Sequence, residues 1–571
     1  MPLKSLFPIS PLYPQPYAPL DPIRVKAADT EAVCALLALA DQTAMTDSLC
    51  APVLRCSLLT GDTRLYAKAS AHITNRLEAQ EEDGRLSGAY GEQAALMTGA
   101  AALFASEGSK AVLEKMMRWC ASLHANWGEV CADQQLMAFP ADLMETLIFL
   151  HTVTKKKALL TLMERLRQSA MDWTTLMATW SVQQPMKRVA SVEELCEGMA
   201  AEGGDIGGFY TRQYYATYGP AVAQGMRATA YMGCFSGGET ETEAGRTGYR
   251  RIMRWHGTAS GAFTSDMFVA GGSPSAGLSG QTAGETAASL AYLWQLTGKA
   301  DMGEALARIT ENALPVFVRG GKLVPMARLN GLSVNCGTKD CYRADEPSEN
   351  AVATLAALLR AQADAACSAV CQARDGLAVA LYRDGAYTVR LGGKAAKVTL
   401  TTEGDTTKLV FSMKENAEAK LALRIPSWAK EACVAVNAEG GDAPEAGSVF
   451  TIARTWHDGD TVSVSLPASL CAVEGYHQSV SLLKGDTLLA CPVTEDASFA
   501  HGLTALNGDD VQAAPVAWKT RGAVPADPPI EPAAEGEAQT LPLVPFALTD
   551  CRIAAFPVCK GCKDKVTGRR A

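Results

Sequence analysis

The sequence predicts a multidomain α+β protein: an all-α unit built from helix pairs, followed by a β-sandwich region. Three observations carry this. From about residue 28 to 370, apolar residues recur at helical spacing, as in Ala32-Val33-Cys34-Ala35-Leu36-Leu37 and Leu159-Leu160-Leu162-Met163-Leu166. From Gly376 the period becomes two, in Leu377-Val379-Leu381, Val398-Leu400, Leu409-Phe411, Leu421-Leu423-Ile425 and Val462-Val464-Leu466. Thirdly, the helical half resembles itself. Leu58-Leu59-Thr60-Gly61-Asp62, Thr152-Val153-Thr154-Lys155-Lys156 and Gln295-Leu296-Thr297-Gly298-Lys299 each end one apolar helix and precede an amphipathic one.

Recurring helical hairpins build a solenoid or a closed toroid. The toroid is preferred because a large β-region follows and must dock on a compact body. A ring of helix pairs leaves a funnel at one end, where a ligand would bind. In order, the elements divide as an extended arm (1–27) that packs on the β-region, the helical unit (28–370), one or two β-sandwiches (371–558) and a basic tail expected to fray (559–571). Turn signals at Asp384-Gly385, Glu403-Gly404-Asp405 and Asp458-Gly459-Asp460 punctuate the strands.

Composition narrows the function classes. Of the 571 residues, 48% are hydrophobic and 20% charged, which excludes a wholly disordered chain. A net charge of −9 gives no global pull toward nucleic acid or an anionic membrane. Mean hydropathy of +0.02, with no apolar run near membrane length, argues against a spanning helix. Met1-Pro2-Leu3-Lys4-Ser5 has no apolar core of a secretory signal, so a cytoplasmic location is expected. Seventeen Cys is an odd count, and Cys34, Cys120 and Cys367 lie in apolar helical context, which fits buried free thiols in a reducing compartment.

Three connections in the helical half hold the chemically unusual residues: Tyr214-Tyr215-Ala216-Thr217-Tyr218-Gly219-Pro220, the stretch from Trp255-His256-Gly257 to Gly271-Gly272-Ser273-Pro274, and Asn335-Cys336 to Glu346-Pro347. Aromatic rings beside carboxylates suit sugar binding, because rings stack on the apolar faces of a sugar while carboxylates bond its hydroxyls. Tyr215, Tyr218, Trp255 and His256 are the candidate substrate-binding residues. Ordinary surface loops have the same composition. Cys336 and Cys341 are candidate metal ligands, but a structural zinc site usually needs four, and Cys559-Lys560-Gly561-Cys562 stands alone. Phosphate loops, dinucleotide fingerprints and His-Glu-x-x-His are absent from the sequence.

The stretch Gly261-Ala262-Phe263-Thr264-Ser265-Asp266, then Gly271-Gly272-Ser273-Pro274, Glu285, Leu296-Thr297-Gly298 and Glu311-Asn312-Ala313-Leu314-Pro315 resembles the central region of glycoside hydrolase family 127. This β-L-arabinofuranosidase-like group is also known as DUF1680. Leu423-Arg424-Ile425-Pro426-Ser427-Trp428 and Arg454-Thr455-Trp456-His457-Asp458-Gly459-Asp460 resemble the same family in the β-half. The resemblance implies an (α/α)6 barrel followed by β-sandwich domains and a six-hairpin glycosidase acting on oligosaccharides.

At the catalytic positions the chain departs from the family. Active members carry a glutamate after the aspartate matching Asp266; here Met267 follows. Their metal-binding Thr-Glu-x-Cys falls on Leu278-Ser279-Gly280-Gln281 without gaps, or on Glu285-Thr286-Ala287 with one, and the cysteine is lost either way. Their nucleophilic cysteine pair falls on Glu346 and Pro347 if Asn350 opens the next helix. The resemblance therefore implies no cofactor, or zinc only if Cys341 slides into the site. Asp266, Glu285 and Glu346 are the candidate catalytic residues of a two-carboxylate glycosidase. The alternatives are a non-catalytic glycan-binding relative and a scaffold subunit. The expected partner is an oligosaccharide, not nucleic acid or membrane, and a homodimer is left open.

Overall fold

The computed structural model describes residues 16–186, 214–236, 238–331, 349–494, 500–518, 520–521, 524–525 and 527–568. Twelve helices among them build the helical unit: α1 (Glu31–Asp41), α2 (Asp47–Thr60), α3 (Thr63–Glu78), α4 (Tyr90–Glu107), α5 (Lys110–Ala125), α6 (Ala141–Thr154), α7 (Lys157–Ser169), α8 (Gly219–Ser236), α9 (Glu239–His256), α10 (Gly280–Thr297), α11 (Ala300–Asn312) and α12 (Glu349–Ala369). Helices α2, α4, α6, α8, α10 and α12 pack each on the next, and α12 returns to α2, so the ring closes. The other six lie outside it, one per inner helix. This is the (α/α)6 toroid rather than the open solenoid.

The division into inner and outer helices follows from their surfaces. Outer helix α7 buries only Leu159, Leu162, Met163 and Leu166, one stripe at helical spacing. Inner helix α10 is buried on nearly every side, from Gly280 to Leu296. The self-similar motifs are the inner-to-outer turns. Gly61, Gly108 and Gly298 adopt left-handed φ of 77°, 72° and 61°, and Lys155 does so at 58°. The next helix is then capped in two of these turns, where Asp62 and Ser109 accept backbone N–H bonds from Leu65 and Val112; at the other end of the ring Ser279 caps α10 by accepting from Thr282 N–H.

The β-half begins with a sandwich. Its strands are β1 (Tyr17–Ala18), β2 (Val25–Ala27), β3 (Val370–Ala373), β4 (Gly376–Val379), β5 (Gly385–Leu391), β6 (Lys394–Glu403), β7 (Thr406–Met413), β8 (Ala417–Arg424), β9 (Cys433–Val436), β10 (Glu439–Asp442), β11 (Val449–Trp456) and β12 (Thr461–Ser465). One sheet runs β1-β3-β4-β8-β11 and the other β10-β9-β12-β7-β6-β5-β2. The arm thus supplies an edge strand to each, with Tyr17 paired to Ala373 and Val25 to Tyr387. Phe411 of one sheet stacks on Trp456 of the other at 4.3 Å, inside a core continuous with that of the ring. A second β-unit follows, with the sheets Leu470–Glu474 to Val544–Pro545 and Ala500–Asn507 to Gln539–Thr540 around their own core.

The two β-half motifs are joints. The Arg424 guanidinium donates through Nε to Ala380 O and reaches Asp486 of the second β-unit at 3.6 Å. Ser427 donates from both its backbone N–H and its hydroxyl to Glu304 on α11. Trp428 donates to Asp486. Asp460 closes its own turn by accepting from His457 N–H and Asn437. The expectation that 559–571 frays is corrected for 559–568: a short helix, Lys563–Thr567, lies on the second β-unit, Val566 enters that unit's core and Cys559 is buried as well. Two apolar side chains outweigh the basic residues that surround them.

Candidate functional site at the mouth of the helical ring

The two ends of the ring differ. Inner helices pass to outer ones through short turns such as Gly61-Asp62 and Gly298-Lys299. The chain returns at the opposite end through long connections, 79–89, 126–140 and 257–279 among them. Long loops on a rigid scaffold are where binding residues gather. This end is the mouth.

Five aromatic rings meet there. Tyr214, Tyr215 and Tyr218 precede α8, Phe139 precedes α6, and Phe268 lies in the 257–279 connection. Tyr214 stacks on Tyr218 at 5.7 Å and meets Phe268 edge-on at 4.9 Å, while Phe139 meets Tyr215 edge-on at 5.9 Å. The loops are zipped together, Gly219 N–H donating to Met267 O and Val269 N–H to Thr217 O. Gly219 permits this approach, because a Cβ there would strike the Ser265 hydroxyl. Tyr215 and Tyr218, two sequence-predicted residues, are thus in one half-buried cluster. Asp266, exposed, stands beside it and accepts from Gly277 N–H at 2.8 Å.

Trp255 and His256 end α9, on another side of the same connection. Arg254 covers the Trp255 ring at 5.1 Å. His256 is wholly buried; its Nε2 pairs with Val182 O and its Nδ1 accepts from Gly271 N–H, both at 2.9 Å. With both nitrogens committed to backbone, His256 holds the loop and does not reach a ligand, which corrects its assignment to substrate binding. Burial pushes its pKa down, so the ring is kept neutral. The unfolded chain takes up a proton near pH 6.5 before the folded one does, so this histidine costs stability as pH falls below that value. His256→Leu is expected to lower stability at neutral pH by about 1–3 kcal/mol through the unpaired backbone groups and to flatten the acid-side decline. Melting temperatures across that window check both.

Beneath the mouth, the ring is filled with ionised groups that the sequence reading missed. Arg227 Nη2 on α8 faces Glu285 on α10 at 3.2 Å and Asp142 on α6 at 3.4 Å. Arg360 on α12 grips Asp142 at 2.6 and 3.2 Å. Arg55 on α2 pairs with Asp364 at 2.7 Å, and the Tyr231 hydroxyl donates to Glu145 at 2.9 Å. Burial works to raise the Asp142 carboxyl, but Arg360 and Arg227 outweigh it and hold that carboxyl below its usual range. For Glu145 burial wins and the carboxyl is pushed up. Three guanidiniums, those of Arg55, Arg227 and Arg360, thus lie among the carboxyls of Asp142, Glu145, Glu285 and Asp364. Arg55, Glu145, Thr146 and Arg360 border a cavity of about 20 Å³, room for one water. The signal existed in the sequence as charges inside otherwise apolar helices.

Glu285 therefore sits in this network, apart from the exposed Asp266, and Glu346, Cys336 and Cys341 lie outside the described residues. A divalent metal on Glu285 would face the Arg227 guanidinium, so Glu285 does not fit a zinc ligand. Among the described residues no group of three or more His, Cys, Asp or Glu side chains is arranged so that it could hold a metal ion. Of the thiols, Cys120 and Cys367 are buried, and burial pushes both to about 12; Cys34, expected inside, is exposed.

Comparison with known proteins agrees with this architecture. Residues 376–468, the sandwich, match the family described as Beta-L-arabinofuranosidase, GH127 middle domain. A solved structure titled "Glycoside hydrolase" shares the fold at a TM-score of 0.72 and 13% identity, over 98% of this chain and all of that one. A GH127 β-L-arabinofuranosidase from Geobacillus stearothermophilus T6 does so at 0.61 and 16%, over 93% of each chain. A GH127 β-arabinofuranosidase does so at 0.53 and 14%, over 95% of this chain and 98% of that one. No curated protein matches by sequence. Residues 376–468 are thus similar to the GH127 middle domain, and the chain shares its fold with these solved structures. No helix among the described residues is long and apolar enough to cross a membrane.

Proposed function

We propose that this chain is a family 127-type glycoside hydrolase that takes an arabinose-containing oligosaccharide at the mouth of the helical ring. The observation that carries this reading is the five-ring aromatic cluster beside the exposed Asp266, on the loop-bearing end of a glycosidase fold. The rings offer apolar faces to a sugar, and Asp266 offers a hydroxyl acceptor or a catalytic carboxylate. The cavity that Arg55, Glu145 and Arg360 border is too small for a sugar ring. The reading assigns catalysis to Asp266 and Glu346, one as acid and one as base or nucleophile. Glu285, held by Arg227 inside the ring, acts as a positioning residue. No cofactor belongs to this mechanism.

The test is a screen of aryl glycosides and arabino-oligosaccharides with wild type, Asp266→Asn and Glu346→Gln. Turnover that falls about 10²-fold or more in each variant is the expected result. A second reading, glycan binding without hydrolysis, is favoured by the arginine contacts to Glu285 and Asp142. It predicts sugar-dependent thermal stabilisation with no product. Absence of both turnover and stabilisation would sink the sugar reading. Stoichiometric zinc in purified protein would overturn the metal-free mechanism and place Cys341 in the site.

A further inference from the structure

The turn Tyr476-His477-Gln478 joins the strands Leu470–Glu474 and Val480–Lys484 of the second β-unit. His477 and Gln478 are consecutive non-glycine residues at left-handed φ of 52° and 59°. Such strain persists only where surrounding structure imposes it, and it concentrates at binding sites. Gly475 N–H donates to Ser479 O at 2.7 Å, and Ser479 donates from its N–H and its hydroxyl to Tyr476 O. The product is a flat display: the Tyr476 ring lies parallel to the His477 imidazole, 4.1 Å apart and 16° from coplanar. Tyr476 is 38% exposed, and His477 and Gln478 are exposed beside it.

This display faces the ring of helices. A Cβ on Gly272 would lie 3.4 Å from Tyr476 Cδ2 and 3.5 Å from the Trp255 carbonyl, so the bare backbone of the 257–279 connection runs against the tyrosine edge. Asp527 joins from a third segment, accepting from the Ser273 hydroxyl. The Tyr476 phenol is held above its ordinary pKa, by burial first and then by the Asp527 charge. Phe268 of the mouth cluster and Gly272 are four residues apart, at most about 14 Å of chain. The seam therefore lies within one oligosaccharide's length of the mouth.

We propose that Tyr476, with His477, Gln478 and Asp527, forms an outer subsite at this seam for distal residues of the oligosaccharide bound at the mouth. This rests on the sugar reading above. The tyrosine face takes the apolar face of a sugar, and the Asp527 carboxylate and Gln478 amide bond its hydroxyls. The C-terminal β-unit thereby contributes to chain-length preference.

Calorimetric titration with arabinose, its dimer and longer arabino-oligosaccharides tests this on the full chain. Tyr476→Ala is expected to weaken the longest ligand about tenfold and leave the monosaccharide unchanged. Tyr476→Phe retains most of the affinity, and Asp527→Asn loses an intermediate part. Leu548→Ala, at another exposed apolar position, leaves binding unchanged. Unaltered melting temperatures establish that the exposed substitutions leave the fold intact. If wild type binds the series and Tyr476→Ala binds long chains equally well, the subsite is overturned while the mouth reading stands. If wild type binds no member of the series, both fall.

Discussion

Replacing Arg227 with methionine is expected to destabilise the helical unit by about 3–5 kcal/mol, the largest effect of any single change considered. Methionine matches the length of the stem but not the charge. Arg227 is 3% exposed in its side chain and is the described ion-pair partner of Glu285, while Asp142 keeps Arg360. Removal therefore takes the direct countercharge from Glu285 and leaves it only the field of Arg360, a penalty that exceeds what the pair contributes when intact. Adding Glu285→Gln to Arg227→Met is expected to recover part of the loss at neutral pH, because a neutral amide needs no countercharge. Urea unfolding of the two variants and wild type decides this. A single variant within about 1 kcal/mol of wild type would show that the network is solvated rather than buried.

How much of this was legible beforehand follows a physical line. The change of period from helical to two at Gly376 is a local property, and it locates the boundary between ring and sandwich, α12 ending at Ala369 and β3 starting at Val370. The inner-to-outer turns were legible because Gly61 and Gly298 must adopt a left-handed φ, a constraint written in one residue. Lys155 occupies the same conformation without the glycine and was found only through its neighbours' pattern. Tyr215 and Tyr218 were legible as a pair because they are three residues apart in one segment. Phe139 and Phe268 were not, since their approach depends on where the α6 and α10 entry loops converge. The charge network was hidden for the same reason: Arg227, Asp142, Glu285 and Arg360 come from four helices, and nothing local to any of them announces a partner. His256 misled because a histidine beside a tryptophan looks alike whether its nitrogens serve a ligand or the backbone.

Gly284→Val carries the second large effect, and it tests how the ring is held closed. Gly284 sits on α10 against α12, where an added Cβ would lie 2.6 Å from the Ala357 carbonyl carbon and 2.7 Å from its oxygen. The obstacle is helix backbone, not a side chain that can rotate away, so the two helices must separate. Overpacking of this kind costs about 1–3 kcal/mol, more than the roughly 1 kcal/mol that replacing a mid-helix glycine with alanine can return through helix propensity. Gly284→Ala is thus also expected to be destabilising, though less than valine, whose two extra methyl groups need further room. The neighbouring residue is Glu285, so a displaced α10 shifts that carboxylate relative to Arg227 on α8 and Arg360 on α12 at once. Combining Gly284→Ala with Arg227→Met therefore costs less than the two changes measured singly, because the first has already loosened the ion pair that the second removes. Strict additivity would mean that α10 keeps its position and that the small residue only fills space, whereas a stable Gly284→Val protein would mean that α10 and α12 are farther apart than this packing requires.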